Sequence, residues 1–362
     1  MLIYTATTPT PNSAPARSPL AKPPQRSRMS YRYAFPDWFD EHHRRIIIAL
    51  DTYHHLDTNQ LIRLTGYHER RVQRLCQLLE QAHYIKAFER AIWRTNDRRR
   101  SSVWGLLPRG ALVRSLDTKT PLIAYRTFEN HPPSRPVAEH AIDLADIRIT
   151  CEQSAAEAGL KIANWKDEGE WRKGAPISVA EFDAGRATSK TLQFRPDGSF
   201  TTIDQAGHTS YFFVEADRTD NREDWQHKAR CYKALWSSGQ FHRHFNVADV
   251  DTGFRVLVTA ITGHRVAWIK AIIESIGSPD LACLFLIAPI KAVAEAGTVF
   301  TQTLWLRGGS QTTQAICASQ GSPSDYPEDI AGKTYLQSLT QTAVSPFTDC
   351  FPVPTHQLSF GL

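Results

Sequence analysis

His68-Glu-Arg-Arg-Val-Gln-Arg-Leu-Cys-Gln-Leu-Leu-Glu-Gln-Ala82 is the stretch that decides the fold of the N-terminal part of this chain. Val72, Leu75 and Leu79 recur at helical spacing, with Cys76 and Leu78 flanking them, so one face of a helix over 68–82 is apolar. Arg70, Arg74 and Gln77 share the opposite face, and Arg71 and Gln73 stand beside them. Donors of this kind, set opposite a core stripe, suit guanine edges and phosphates, the chemistry of a recognition helix. Upstream, Phe39, Ile46, Ile47 and Leu50 space a helix over 38–52. Asp57 or Thr58 caps a short helix over 59–65, and Gly66-Tyr67 gives a tight turn into the recognition helix.

Downstream, Tyr84-Ile-Lys-Ala-Phe88 and Val103-Trp-Gly-Leu-Leu107 read as partner strands. The turn between them carries Arg94, Arg98, Arg99 and Arg100. A β-hairpin with a basic tip beside a recognition helix is a wing, suited to phosphates or the minor groove. The close of this segment, with Pro108-Arg-Gly110 leading from the strand into a helix, resembles the ending of many bacterial winged-helix regulators. The expectation is a winged helix-turn-helix over residues 36–116 that binds double-stranded DNA. The competing interpretation is a small helical domain with a merely solvated basic face.

Charge is distributed accordingly. The 42 Lys+Arg against 37 Asp+Glu leave +5 overall, yet the first 135 residues carry about +11 and the remainder about −6. That asymmetry implies a DNA-facing front and an acidic, metal-competent back. The six cysteines are scattered without a CxxC pair, which argues against a disulfide framework or zinc ribbon and for buried free thiols in a reducing cytoplasm. No apolar run approaches the ~18–20 residues of a membrane span, and no secretory start is visible, so the expected partners exclude a membrane. Residues 1–35 read as a disordered basic arm, 117–136 as a linker and 309–362 as a mostly disordered tail.

Four elements follow in order in the second part: a helix from Val137 to about Ala158, a strand ending Phe194-Arg-Pro-Asp-Gly198, an apolar strand Tyr211-Phe-Phe-Val-Glu-Ala-Asp-Arg218, and a helix from Arg222 to about Trp236 with His227-Lys-Ala-Arg-Cys-Tyr232. This order resembles the PD-(D/E)XK nuclease fold. More narrowly, the span from about 36 to 290 resembles the replication-relaxation family of plasmids and mobile elements, whose members join a winged helix to a restriction-endonuclease-like domain. The resemblance implies a mixed α+β or α/β chain, with a restriction-endonuclease-like mixed sheet over 137–308. Phe254-Arg-Val-Leu-Val-Thr259 and Leu281-Ala-Cys-Leu-Phe-Leu-Ile287, with a helix over 264–276 between them, give a buried βαβ unit for that sheet.

The resemblance also implies Mg²⁺ or Mn²⁺. Hard cations take carboxylate oxygens, and Asp197 and Glu215 converge on one ion if their strands pair through a turn near Asp204-Gln-Ala-Gly207. Such an ion polarises a phosphate and acidifies an attacking water. Glu139, Asp143 and Asp146 share one face of the first helix, with His140 beside them, and Asp143 and Asp146 are candidates for an accessory metal carboxylate. One position departs from the motif. Asp217 stands where the strand should carry lysine, and Lys228 on the following helix is placed to replace it, with Tyr232 one turn on. The implied activity is nicking or cleavage of DNA during plasmid replication, relaxation or mobilisation, alongside other proteins of those processes or a second copy of the chain. The rival is a non-enzymatic initiator or transcriptional regulator with a degenerate nuclease-like domain; a conjugative relaxase using Tyr232 is a third reading. Taken singly, Asp197 in a Pro-Asp-Gly turn, Glu215 on a solvated strand face and Lys228 on an exposed helix are each ordinary. His42-His43, His54-His55, and His242 with His244 read as basic surface segments rather than metal ligands.

Overall fold

The computed structural model describes residues 36–88, 92–93, 100–122, 127, 134–182, 189–218, 221–247, 253–276, 282–296, 298–302, 304–310, 313–314 and 316. The expected basic arm, Arg94, Arg98 and Arg99 of the expected wing, and most of the expected C-terminal tail lie outside these residues. Among the described residues, those from Asp40 onward belong to one compact unit, which does not include 36–39.

Helix α1 (Glu41–Tyr53) starts where Asp40 accepts from the backbone N–H groups of His42 and His43, while the His43 imidazole answers to the Asp40 backbone. This reciprocal cap buries His43, and His55 is buried too, which corrects their surface reading. After strand β1 (His55–Asp57), Asp57 and Gln60 form a second reciprocal cap on α2 (Thr58–Thr65). Gly66 ends that helix at φ 70°, a left-handed conformation that glycine adopts without a Cβ penalty. Helix α3 (Glu69–Gln81) follows, burying Val72, Leu75, Cys76 and Leu79. Strands β2 (Ile85–Ala87), β3 (Ile92–Trp93), β4 (Arg100–Ser101) and β5 (Val103–Leu106) precede α4 (Pro108–Thr118). β5 lies between β1 and β2 in an antiparallel sheet, with Ile85 opposite Leu106 and Leu56 opposite Trp104.

The second part begins with the long helix α5 (Arg135–Glu157), then β6 (Lys161–Asp167), α6 (Glu168–Lys173), β7 (Ile177–Phe182), β8 (Ser189–Phe194), β9 (Gly198–Ile203) and β10 (Thr209–Asp217). Helices α7 (Arg222–Ser237) and α8 (Gln240–Phe245), strand β11 (Phe254–Ala260), helix α9 (Gly263–Ile276), strand β12 (Phe285–Pro289), helix α10 (Ile290–Glu295) and strands β13 (Trp305–Arg307) and β14 (Thr313–Gln314) complete it. The main sheet is mixed, in the order β14-β13-β12-β11-β10-β9-β6. β10, β11 and β12 are parallel, and β9 pairs antiparallel with both β10 and β6. The parallel strands read as continuous apolar runs because both faces are covered. On one face Phe212, Val214 and Ala216 pack with Ile147, Cys151 and Ala155 of α5. On the other, Phe213 packs with Trp225, Ala229 and Tyr232 of α7 and with Val266 and Ile269 of α9. Side chains alternate along a strand, so Glu215 and Asp217 share the Phe213 face, beneath α7.

Two expectations need correction. Phe194-Arg-Pro-Asp-Gly198 is not the end of the strand that pairs with β10: it joins β8 to a separate strand, β9, which makes that pairing, with Gly198 opposite Val214. The strand expected over 281–287 is β12, which starts at Phe285 and runs to Pro289. The β7–β8 hairpin stands apart from the main sheet and packs on α7, its Glu181 paired with Arg230.

The two parts are docked along α5. Gln60 Nε2 donates to the Ile142 carbonyl at 2.8 Å in a buried contact. Arg63 reaches Asp146 at 3.3 Å and Thr150 Oγ1 at 2.7 Å, and Tyr53 donates to Glu152.

Candidate functional site

The Pro196-Asp197-Gly198 corner sets a carboxylate at the mouth of the β9–β10 pair. Asp197 Oδ2 accepts from the Ala216 backbone N–H at 2.9 Å, so the aspartate is fixed to the strand that carries Glu215. From α7 the Lys228 ammonium reaches both acids. It donates to Glu215 Oε2 in a short hydrogen bond and lies 3.8 Å from Asp197 Oδ2. Tyr232, one helical turn on, donates its hydroxyl to Glu215 Oε1 at 2.6 Å. The structure therefore brings Asp197, Glu215, Lys228 and Tyr232 together, as an acid–lysine cluster at the end of β10.

Electrostatics separate the two acids. Burial raises the Asp197 carboxyl, but Lys228, His140 and the Ala216 amide outweigh it and hold the group well below the usual carboxylate range. Glu215, fully buried within the sheet, is pushed up to about 7, by burial first and by the Asp197 charge; Lys228 and Tyr232 pull the other way. Tyr232 is raised well above its ordinary value by burial and by Glu215. Lys228 is raised because Glu215 and Asp197 outweigh its desolvation.

A second set of groups meets Asp197 from the opposite side. His140 Nε2, on α5, lies 3.6 Å from Asp197 Oδ1 and 4.0 Å from Glu168 Oε2, at the first position of α6. One donor atom from each of His140, Glu168 and Asp197 falls within 4.8 Å of the others. Burial lowers the His140 pKa, but Asp197 and Glu168 outweigh it and raise it. These groups line a cavity of about 860 Å³, whose lining also includes Phe194, Trp225 and Ile261 and the arginines Arg135, Arg172, Arg195 and Arg218. Lys228 lines the cavity, and Glu215, behind it, does not.

The remaining sequence-selected residues are committed to other partners or lie elsewhere, Asp217 among them although it lines the cavity. Asp217 accepts from Trp225 Nε1 at 2.6 Å and from Arg265 Nε at 2.6 Å, so the aspartate in the motif's lysine position is committed to a buried ion pair. Asp143 is held by Arg218 at 2.5 Å and Asp146 by Arg63, and neither belongs to the His140–Glu168–Asp197 set. Nothing in the sequence singles out Glu168 as a site residue. Its only local signal is the Asp167-Glu-Gly-Glu170 capping box, which marks a helix start and no chemistry. In the sequence His140 stands out only as a neighbour of Asp143. On α3 the side chains of Arg70, Arg71, Gln73, Arg74 and Gln77 are exposed, opposite the buried stripe. Arg71 lies over the Tyr67 ring at 4.7 Å, Gln73 donates to Glu69, and Arg100 lies in β4.

Fold and site define a mixed α+β chain whose sheet carries a buried acid–lysine cluster against an imidazole–carboxylate pocket. It belongs to the replication-relaxation family, whose model matches residues 49–250, from α1 through the site-bearing strands and α7. No curated protein and no solved structure matches the chain. Among the described residues no helix is long and apolar enough to cross a membrane.

Proposed function

We propose that this protein processes duplex DNA in plasmid or mobile-element replication, relaxation or mobilisation, holding it through a winged helix and nicking or cleaving a phosphodiester in the cavity. The observation that carries this reading is the meeting of Asp197, Glu215 and Lys228, with Asp197 and Lys228 lining the pocket and Glu215 behind them. The exposed arginines and glutamines of α3, and the β1-β5-β2 sheet beside them, support the winged-helix assignment. The main mixed sheet, with Glu215 on β10 and Asp197 in the corner just before its antiparallel neighbour β9, supports the restriction-endonuclease-like one.

A divalent cation fits the pocket as judged by its donors. His140, Glu168 and Asp197 offer one nitrogen and two carboxylates within reach of one another. An imidazole among carboxylates suits Mn²⁺ better than Mg²⁺, which prefers oxygen ligands alone. The ion would supply electrophilic assistance to the phosphate and a more acidic water. Its entry requires His140 to give up the proton that Asp197 and Glu168 favour. Lys228, held by Glu215, whose other oxygen accepts from Tyr232, presents its ammonium to the same cavity, where it stabilises charge growing on the phosphate. Arg195, on the cavity lining, offers guanidinium donors to the flanking backbone, whereas Arg135, Arg172 and Arg218 are engaged by Glu139, Glu168 and Asp143.

A second reading, a non-enzymatic initiator or regulator, draws on one observation: Lys228 is already paired with Glu215 and Asp197, as in a structural ion cluster. Incubating supercoiled plasmid with the protein and Mn²⁺ or Mg²⁺ separates the two. Conversion to open circles that is lost in Asp197→Ala and Lys228→Ala supports the nuclease; tight binding without strand breaks supports the regulator.

A further inference from the structure

We infer that His54, in the N-terminal DNA-reading part, is a positioning residue for the pocket on the sheet, holding the corner that presents Glu168. The inference rests on the metal reading above and names a residue outside the nuclease-like elements on which that reading depends.

The backbone supplies the first argument. His54 follows α1 at φ 65°, ψ −51°, close to the geometry of the rare strained γ-turn. Glycine enters this region without a Cβ penalty and a β-carbon residue does not, so a histidine here needs a reason. Its side chain offers one. Nε2 lies 3.2 Å from Asp167 Oδ2 across the contact between the two parts. Asp167 is the N-cap of α6, taking the Glu170 backbone N–H at 2.8 Å, and Glu168 is the first residue of that helix. The His54 contact thus anchors the cap from which the Glu168 carboxylate reaches toward His140. The other imidazole-bearing element is clamped from the same side, because Gln60 donates to the carbonyl of Ile142, two residues beyond His140 on α5. Two of the three metal donors sit on elements that the N-terminal part grips. Asp197 is held from within the sheet instead.

The test is calorimetric titration of Mn²⁺ into the full chain without DNA, with thermal unfolding of each variant. Wild type should bind Mn²⁺, and Asp197→Ala should abolish binding. His54→Gly should weaken Mn²⁺ binding roughly tenfold, at the lower end of outer-shell effects on metal affinity, while its thermal midpoint at neutral pH changes little, because the relief that glycine brings to the turn offsets the lost His54–Asp167 bond. His54→Gln, which restores a donor toward Asp167, should recover most of the affinity. If His54→Gly binds Mn²⁺ as wild type does, the positioning role is overturned and the metal reading stands. Loss in both His54 variants alongside a fallen thermal midpoint marks a folding defect and also overturns it. A wild-type protein with no Mn²⁺ site sensitive to Asp197→Ala overturns the metal reading, and this inference with it.

Discussion

Lys228 is bonded to Glu215 across the gap between α7 and the central strand β10, and the lysine alone of the two reaches the cavity. The pair therefore has an inner, dry member and an outer one that reaches the cavity. Glu215 is fully buried, and its second oxygen is occupied by Tyr232. It is better placed to hold the lysine than to meet a substrate.

Removing the lysine should make stability depend on pH. Glu215 is raised to about 7 in the fold, so its carboxyl takes up a proton more readily than in the unfolded chain. Its contribution is full below the ordinary carboxylate pKa near 4.5 and is lost as pH rises through about 7. Lys228→Ala removes the charge that offsets burial, which moves this loss to higher pH and enlarges it. Breaking one partner of a buried pair costs on the order of 3 kcal/mol. Urea denaturation should show a deficit of that order at pH 8 and a clearly smaller one at pH 6; equal deficits would mean that Glu215 does not titrate with its partner.

Tyr232 should be dispensable as a nucleophile. Its ring lies wholly in the core against Phe194 and Phe213, and its hydroxyl is committed to Glu215. Tyr232→Phe should cost about 1–2 kcal/mol for the orphaned acceptor and leave any plasmid nicking measurable. Denaturing gels of nicked plasmid should show no protein-linked strand, and a linked strand that vanishes in Tyr232→Phe would restore the relaxase reading.

Helix α3 makes a separable prediction. Arg70 and Arg74 are exposed on α3, opposite Val72 and Leu75, with no role in the core. Arg70→Ala and Arg74→Ala should each weaken duplex binding in a gel-shift titration. Each should also lower the slope of log affinity against log salt by roughly one if its contact is to phosphate. Fold and Mn²⁺ binding should not change, since neither side chain touches α5 or the pocket. Normal duplex binding in both variants would remove α3 from the interface.

What the sequence made legible follows from local periodicity. The stripe of Val72, Leu75 and Leu79 and the apolar runs of β10 and β11 are strong local patterns, and each appears as a helix or strand close to its expected bounds. Asp197, Glu215 and Lys228 were selected by order along the chain and meet in space. The missed features depend on tertiary geometry. β1, β3 and β4 have two or three residues, too few for an alternation to show. Glu168 enters the pocket only because β6 lies at the far edge of the sheet and turns at Asp167 toward α5. His54 looked like a basic surface residue because its partner is more than a hundred positions away. Asp143 and Asp146 shared a helical face with the right chemistry, but that face meets Arg218 and Arg63.

Asp167 gives a readout of the same corner that needs no metal. Burial alone would raise its carboxyl, but the hydrogen bond and charge of His54, the Glu170 amide and Arg148 outweigh it and hold the group at about 2. A depressed carboxyl contributes stability that is present above its unfolded value near 3.8 and is lost as pH falls from there toward 2. His54→Gly removes the largest of the lowering influences, so the Asp167 pKa should rise toward its ordinary value, followed through its side-chain carboxyl carbon by NMR. The acid limb of the thermal stability profile should flatten between about pH 4 and 2 in that variant, because less of the Asp167 contribution remains to be lost. An unchanged Asp167 titration would mean that His54 does not hold this carboxylate in solution. The link from the N-terminal part to Glu168 would then have to run through α5 alone.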